Sequence, residues 1–109
     1  MATIMDLSKL DIRIGKVLLA EDIEGARSPV YKLTIYLGDE IGMRTIIAGI
    51  KNTYTKDDLK DRLVVCIINL EPKRIANVMS EGMILATEEN SIISLLTPEK
   101  AVSPGSIVR

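Results

Sequence analysis

The side chains best placed for chemistry lie between Asn69 and Leu85. An apolar run ends at Pro72, whose nitrogen carries no proton for a strand ladder. Two cations, Lys73 and Arg74, follow at once, and after a short apolar turn comes the polar step Ser80-Glu81-Gly82, which leads into another apolar run. Polar groups held between two buried strands sit on rigid support, as a binding surface requires. The same pattern also fits an ordinary strand connection with a solvated Lys-Arg pair.

Catalytic chemistry has little material. The chain has no histidine, hence neither the commonest general base nor the commonest metal ligand. Its one cysteine, Cys66, sits inside an apolar run, where a thiol behaves as a small hydrophobe. With no second cysteine there is no disulfide framework, which fits a reducing cytoplasm. No carboxylate pair stands out by spacing. The expectation is a protein that is not an enzyme, with no catalytic residue, metal or cofactor.

The 109 residues carry 14 cationic and 15 acidic side chains, a formal net charge of −1. Phosphate binding over a broad surface usually demands a basic excess, so nucleic-acid contact would have to be local. The N-terminal stretch Met1–Leu10 has neither the basic start nor the long apolar centre of a secretory signal, and no apolar run approaches the roughly 20 residues of a membrane span. A soluble, cytoplasmic protein with no membrane insertion is expected. The length is that of one domain, spanning residues 1–109.

The elements that position these groups read mainly as β. From Asp11 the pattern alternates through Ile12 and Ile14, then changes parity after Gly15 to Val17 and Leu19, which predicts a bulge at the glycine. Glu21 to Pro29 is a loop. Tyr31, Leu33, Ile35 and Leu37 face one way, with Lys32, Thr34 and Tyr36 opposite. Gly38–Gly42 turns the chain into a third strand, Met43 to Ile50, making a hairpin on whose outer face Lys32 and Arg44 are both expected. Thr55-Lys56-Asp57-Asp58 forms a capping box for a short helix ending near Asp61. Leu63 to Leu70 is apolar on both faces and reads as a central strand. Met83–Thr87 and Ser91–Thr97 add two short strands across a Glu88–Asn90 turn. A helix between the third and fourth of five antiparallel strands predicts an OB-type barrel.

Taken in order, Asp11-Ile12-Arg13-Ile14-Gly15-Lys16-Val17, Tyr31-Lys32-Leu33, Asn69-Leu70-Glu71-Pro72-Lys73 and Ser80-Glu81-Gly82-Met83 resemble the tRNA-binding domain family. That family includes free-standing tRNA-binding proteins and the C-terminal appendix of methionyl-tRNA synthetase. Arg27–Leu33 and Ile75–Glu81 are most similar to its CsaA branch of small export-related chaperones. The resemblance covers essentially the whole chain and implies an OB-fold homodimer with terminal segments at the interface. Glu81 stands where the tRNA binders usually carry glutamine, and a negative charge there would repel phosphate.

Two ligand classes follow, non-native or precursor polypeptide first and tRNA second. For polypeptide, Met43, Met79 and Met83 are the candidates, because an unbranched thioether repacks around varied partners. For tRNA, Lys32, Arg44, Lys51, Lys73 and Arg74 would meet phosphates, and Asn69 and Ser80 would hydrogen-bond a base or sugar. Tyr36 would stack on a base, in a chain without Phe or Trp. Ile4, Met5, Leu7, Val102, Ile107 and Val108 are more apolar than free termini should be, and a two-fold partner would cover them.

Overall fold

A computed structural model describes all residues 1–109. Five strands form one antiparallel sheet: β1 (Ile12–Asp22), β2 (Tyr31–Tyr36), β3 (Met43–Ala48), β4 (Leu63–Ile67) and, after two further strands, β7 (Met83–Ile84), in the order β3-β2-β1-β4-β7. The sheet curls into a nearly closed OB-like barrel. The short hairpin β5 (Lys73–Ile75) with β6 (Val78–Ser80) and the hairpin β8 (Ala86–Glu89) with β9 (Ile92–Leu95) are appended to it. Three short helices complete the chain: α1 (Ile4–Ser8), α2 (Gly38–Ile41) and α3 (Lys56–Leu59).

The alternation expected of β2 is present. Tyr31, Leu33, Ile35 and Leu37 are buried and pack with Val17, Ala20, Ile46, Val64 and Cys66 in one core. The capping box is also present, Thr55 Oγ1 accepting from the Asp58 N–H (3.1 Å) and Asp58 Oδ2 from the Thr55 N–H (3.0 Å). Leu59, the one buried residue of α3, plugs the core between β3 and β4 in sequence. Burial pushes the Cys66 thiol up to about 12, so it stays protonated and inert.

The bulge is not at Gly15. Pairing of β1 with β4 runs unbroken from Ile12 to Lys16, and the register slips between Val17 and Leu19, where β1 bends onto β2. Leu19 is consequently exposed rather than buried. Gly15 answers a different need: a Cβ there would lie 2.4 Å from Ile35 Cγ2 and 3.1 Å from Cys66 Sγ, so only glycine lets β1 approach this closely. Ile12 and Ile14 are buried on the other face of β1, beside which the C-terminal segment bonds Ile14 N–H to Ser106 O and Val108 N–H to Ile12 O.

The central strand is shorter than its apolar run, ending at Ile67, with Asn69 and Leu70 exposed. The last hairpin turns at Asn90-Ser91, both with positive φ, because a two-residue turn of this hand matches the twist of its strands.

At the end of β1, Asp22 receives Lys51 Nζ at 2.9 Å and Lys56 Nζ at 2.8 Å, tying the start of α3 to the barrel. The two lysines hold the Asp22 carboxyl well below its ordinary 3.8, at about 2. Since the folded value lies below the unfolded one, this contribution is complete above pH 4 and fades as pH falls towards 2. Asp22→Asn is expected to flatten the acid limb of stability in that window, measured by urea unfolding at pH 2 to 5. An unchanged limb would remove Asp22 from the account.

Candidate binding surfaces

Cross-strand register builds one outer groove. Leu63 on β4 stands opposite Lys16 on β1, Lys16 opposite Tyr36 on β2, and Tyr36 opposite Met43 on β3. Directly paired residues share a face, so these four form a row across the barrel. With Leu18, Asp61, Val102 and Pro104 they line a groove of about 650 Å³. Lys16 and Asp61 form an ion pair of 3.9 Å within it. The Tyr36 hydroxyl donates to Asp39, which raises its pKa and leaves the ring as the aromatic wall of the groove.

All three candidate methionines are exposed, Met43 by 61%, Met79 by 44% and Met83 by 45%. They are not gathered in one place. Met43 lines the groove just described, Met83 lines a second one, and Met79 faces out beside Arg74, its partner across the β5–β6 ladder.

Several candidate RNA ligands turn out to hold the chain itself. Asn69 uses both ends of its amide, Oδ1 accepting from the Asp11 N–H (2.7 Å) and Nδ2 donating to Lys9 O (2.8 Å), which fastens the N-terminal segment to the end of β4. Ser80 is only 5% exposed; its Oγ accepts from the Ile47 N–H (3.0 Å) and donates to Gly82 O (3.1 Å). Glu81 Oε1 accepts from the Thr45 N–H (2.9 Å), and the Glu81 N–H donates to Thr45 O (2.7 Å). The carboxylate expected to repel phosphate is thus spent on the edge of β3. Gly82 must follow, since a Cβ there would lie 2.7 Å from Ile67 O.

The cations divide in the same way. Arg44 does not share an outer face with Lys32: it pairs with core-facing Ile35, whereas Lys32 pairs with Ile47. The α2 turn sets this register, and the Arg44 guanidinium reaches past the core to the Ile68 carbonyl at 3.1 Å. Lys32 pairs with Glu21 (3.6 Å), and Lys51 with Asp22. Lys73 and Arg74 are exposed and enter no ion pair within the chain. Adjacent on β5, they point to opposite faces.

The two termini meet beside β1. Ile4, Leu7 and Leu10 from the α1 region and Ile107 and Val108 line an apolar groove of about 370 Å³. Met5 is exposed outside its lining, and Val102 belongs to the Met43 groove instead. Two groove residues are absent from the sequence-based candidates: Leu18, which lies within the slip of β1 against β2, and Leu63, which the unbroken β1–β4 pairing sets opposite Lys16.

An OB-like barrel carrying apolar grooves, with Lys73 and Arg74 among its unpaired surface cations, has the surfaces of a binding module. The chain belongs to the family described as putative tRNA binding domain, whose model matches residues 12–107. It is 47% identical over 106 residues to the methionine–tRNA ligase of Archaeoglobus fulgidus and 41% identical over 104 residues to that of Thermococcus onnurineus. These matches cover 97% and 95% of the chain but only 16% and 14% of the ligases. Among solved structures, the CsaA chaperone protein of Picrophilus torridus superposes with a TM-score of 0.94 at 39% identity, over the whole of both chains. The chaperone CsaA of Bacillus anthracis gives 0.89 at 33% identity, covering 100% of this chain and 99% of that one.

Ser80→Ala should leave the Ile47 N–H buried and unpaired, and is expected to cost about 1–3 kcal/mol of unfolding free energy. Chemical denaturation measures it. A loss below a few tenths would mean that the hydroxyl does not hold the barrel closed.

Proposed function

We propose that this chain is a non-catalytic holder of non-native or precursor polypeptide that works as a homodimer, with residues 1–109 as a single binding unit. The observation that carries this reading is Met43, largely exposed in an apolar groove with Tyr36, Leu18, Leu63 and Val102. Burial of apolar side chains there gains about 25 cal/mol per Å² whatever their order in the client, and a thioether adapts to their shapes. The whole-length likeness to two CsaA chaperones supports the same reading. Dimerisation is inferred from the apolar groove that the two termini share, where Ile4 is left 85% exposed beside Leu7, Ile107 and Val108, and from Met5, 72% exposed outside its lining. Two copies would present two holding sites to one extended client and raise its avidity.

A second reading, tRNA binding, is favoured by a separate observation. Lys73 and Arg74 have no acidic partner and project from a hairpin at the barrel's edge, free to meet phosphate, and the family and the ligase relatives point the same way. Removal of the two cations separates the readings.

With an aggregating, chemically denatured client, one dimer per client is expected to suppress light scattering, and Lys73→Glu with Arg74→Glu is expected to leave that suppression intact. Tight tRNA binding that falls steeply with salt, together with no suppression, would replace the proposal by the second reading. For the dimer, deletion of residues 1–10 is expected to give a monomer in gel filtration. A truncated chain that still elutes as a dimer would place the interface elsewhere.

A further inference from the structure

The barrel does not close along its whole seam. On the β7–β8 side, the Leu85 N–H bonds Val65 O and the Leu96 N–H bonds Leu85 O, so Leu85 faces β4 and β9 with both its backbone groups. Alternation along a strand then turns the N–H and C=O of Ile84, Ala86 and Glu88 to the opposite edge. No strand is hydrogen-bonded there; β3 lies close beside Met83–Ile84, and the edge is open from Ala86 onward. Across the gap, Thr45 and Ile47 of β3 are met by Glu81 and Ser80, but the edge beyond them, at Gly49, has no such partner. Between the two edges runs a groove of about 430 Å³ whose walls include Ile47, Ile50, Met83, Ile84 and Ile93.

We propose that this seam takes an extended polypeptide, which adds as a strand to the free edge at Ala86 and Glu88, beyond the point where β3 lies against β7, and drops alternate apolar side chains against Ile47, Ile50 and Ile93. The inference rests on the polypeptide-holding reading and gives it a site and a mode. A row of alternating backbone donors and acceptors at strand spacing is matched by another peptide backbone and by little else. Such binding is indifferent to client sequence, because the hydrogen bonds are to the main chain. Charge narrows the client: Glu88 lines the groove and Glu89 follows it at the hairpin end, both outside every ion pair of the chain, so a segment with a lysine or arginine next to its apolar residues fits best.

Ala86→Pro tests the proposal. Proline at 86 removes an N–H that serves no intrachain bond, so the β8–β9 ladder is retained while the added strand loses a hydrogen bond and meets the ring. The probe is a fluorescent twelve-residue peptide of alternating valine and threonine with two lysines at one end. Expected are saturable binding to the unaltered chain, slowed amide exchange at Ala86 and Glu88 on binding, and a loss of affinity of about tenfold or more in Ala86→Pro. Binding undiminished in Ala86→Pro, with protection at other strands, would overturn the seam and leave the holding reading standing. No binding of the peptide or of a denatured client by the unaltered chain would remove both. A change in oligomeric state in Ala86→Pro without a change in peptide affinity would assign the edge to a second copy and overturn the proposal. If the proline variant does not fold, the exchange measurement on the unaltered chain decides alone.

Discussion

A small barrel has to satisfy the two strand edges that meet where its sheet closes, and here two side chains take on that work. The outward N–H groups of Thr45 and Ile47 would otherwise be an unpaired edge over the core. The Glu81 carboxylate and the Ser80 hydroxyl accept them, while the Glu81 N–H returns a bond to Thr45 O. This latch draws the β5–β6 hairpin over the mouth of the barrel. It requires a hydroxyl that fits a nearly buried site, an acceptor one residue on, and a glycine after that, where a Cβ would strike the Ile67 carbonyl. The polar step at 80–82 is therefore spent largely on closure.

Closure by side chains explains why the polar step was harder to read than the periodic strands. The alternation of β2, the Thr55 capping box and the helix between the third and fourth barrel strands were legible because each depends on local spacing. The roles of Asn69 and Ser80 depend on partners 58 and 33 residues away, and a polar side chain between strands reads alike whether it meets a ligand or a distant backbone. Arg44 was misplaced for a related reason: the α2 turn fixes which residue faces Ile35, and the turn residues alone leave that register open. The β5–β6 hairpin escaped because its turn is Ala76-Asn77, both at positive φ, and alanine is not a residue that announces such a turn.

The balanced charge of the chain has a structural counterpart. Lys16, Lys32, Lys51 and Lys56 each stand within 4 Å of a carboxylate, and Asp22 serves two of them. Exposed pairs of this kind add little stability, but they reduce the attraction of the barrel wall for phosphate. The cations left over on the β5–β6 hairpin stand on opposite faces of one strand, so they make a narrow contact rather than a patch.

Along β3 these features fall into one line. Met43, Thr45 and Ile47 share its outer face, with the Met43 groove at one end and the open seam, beside Gly49 just past the strand, at the other. Met43 and Gly49 are six residues apart, about 20 Å at 3.4 Å per residue if extended. An extended polypeptide of similar length spans the same distance, since its own rise per residue is the same. The Thr45–Glu81 contact lies between, holding the edge closed where the core must be sealed and leaving it open where the walls are apolar. Closing the seam fully with another ladder would gain stability and remove both the free backbone edge and the groove beside it. The partial closure by side chains is what leaves a stable barrel with an edge to offer.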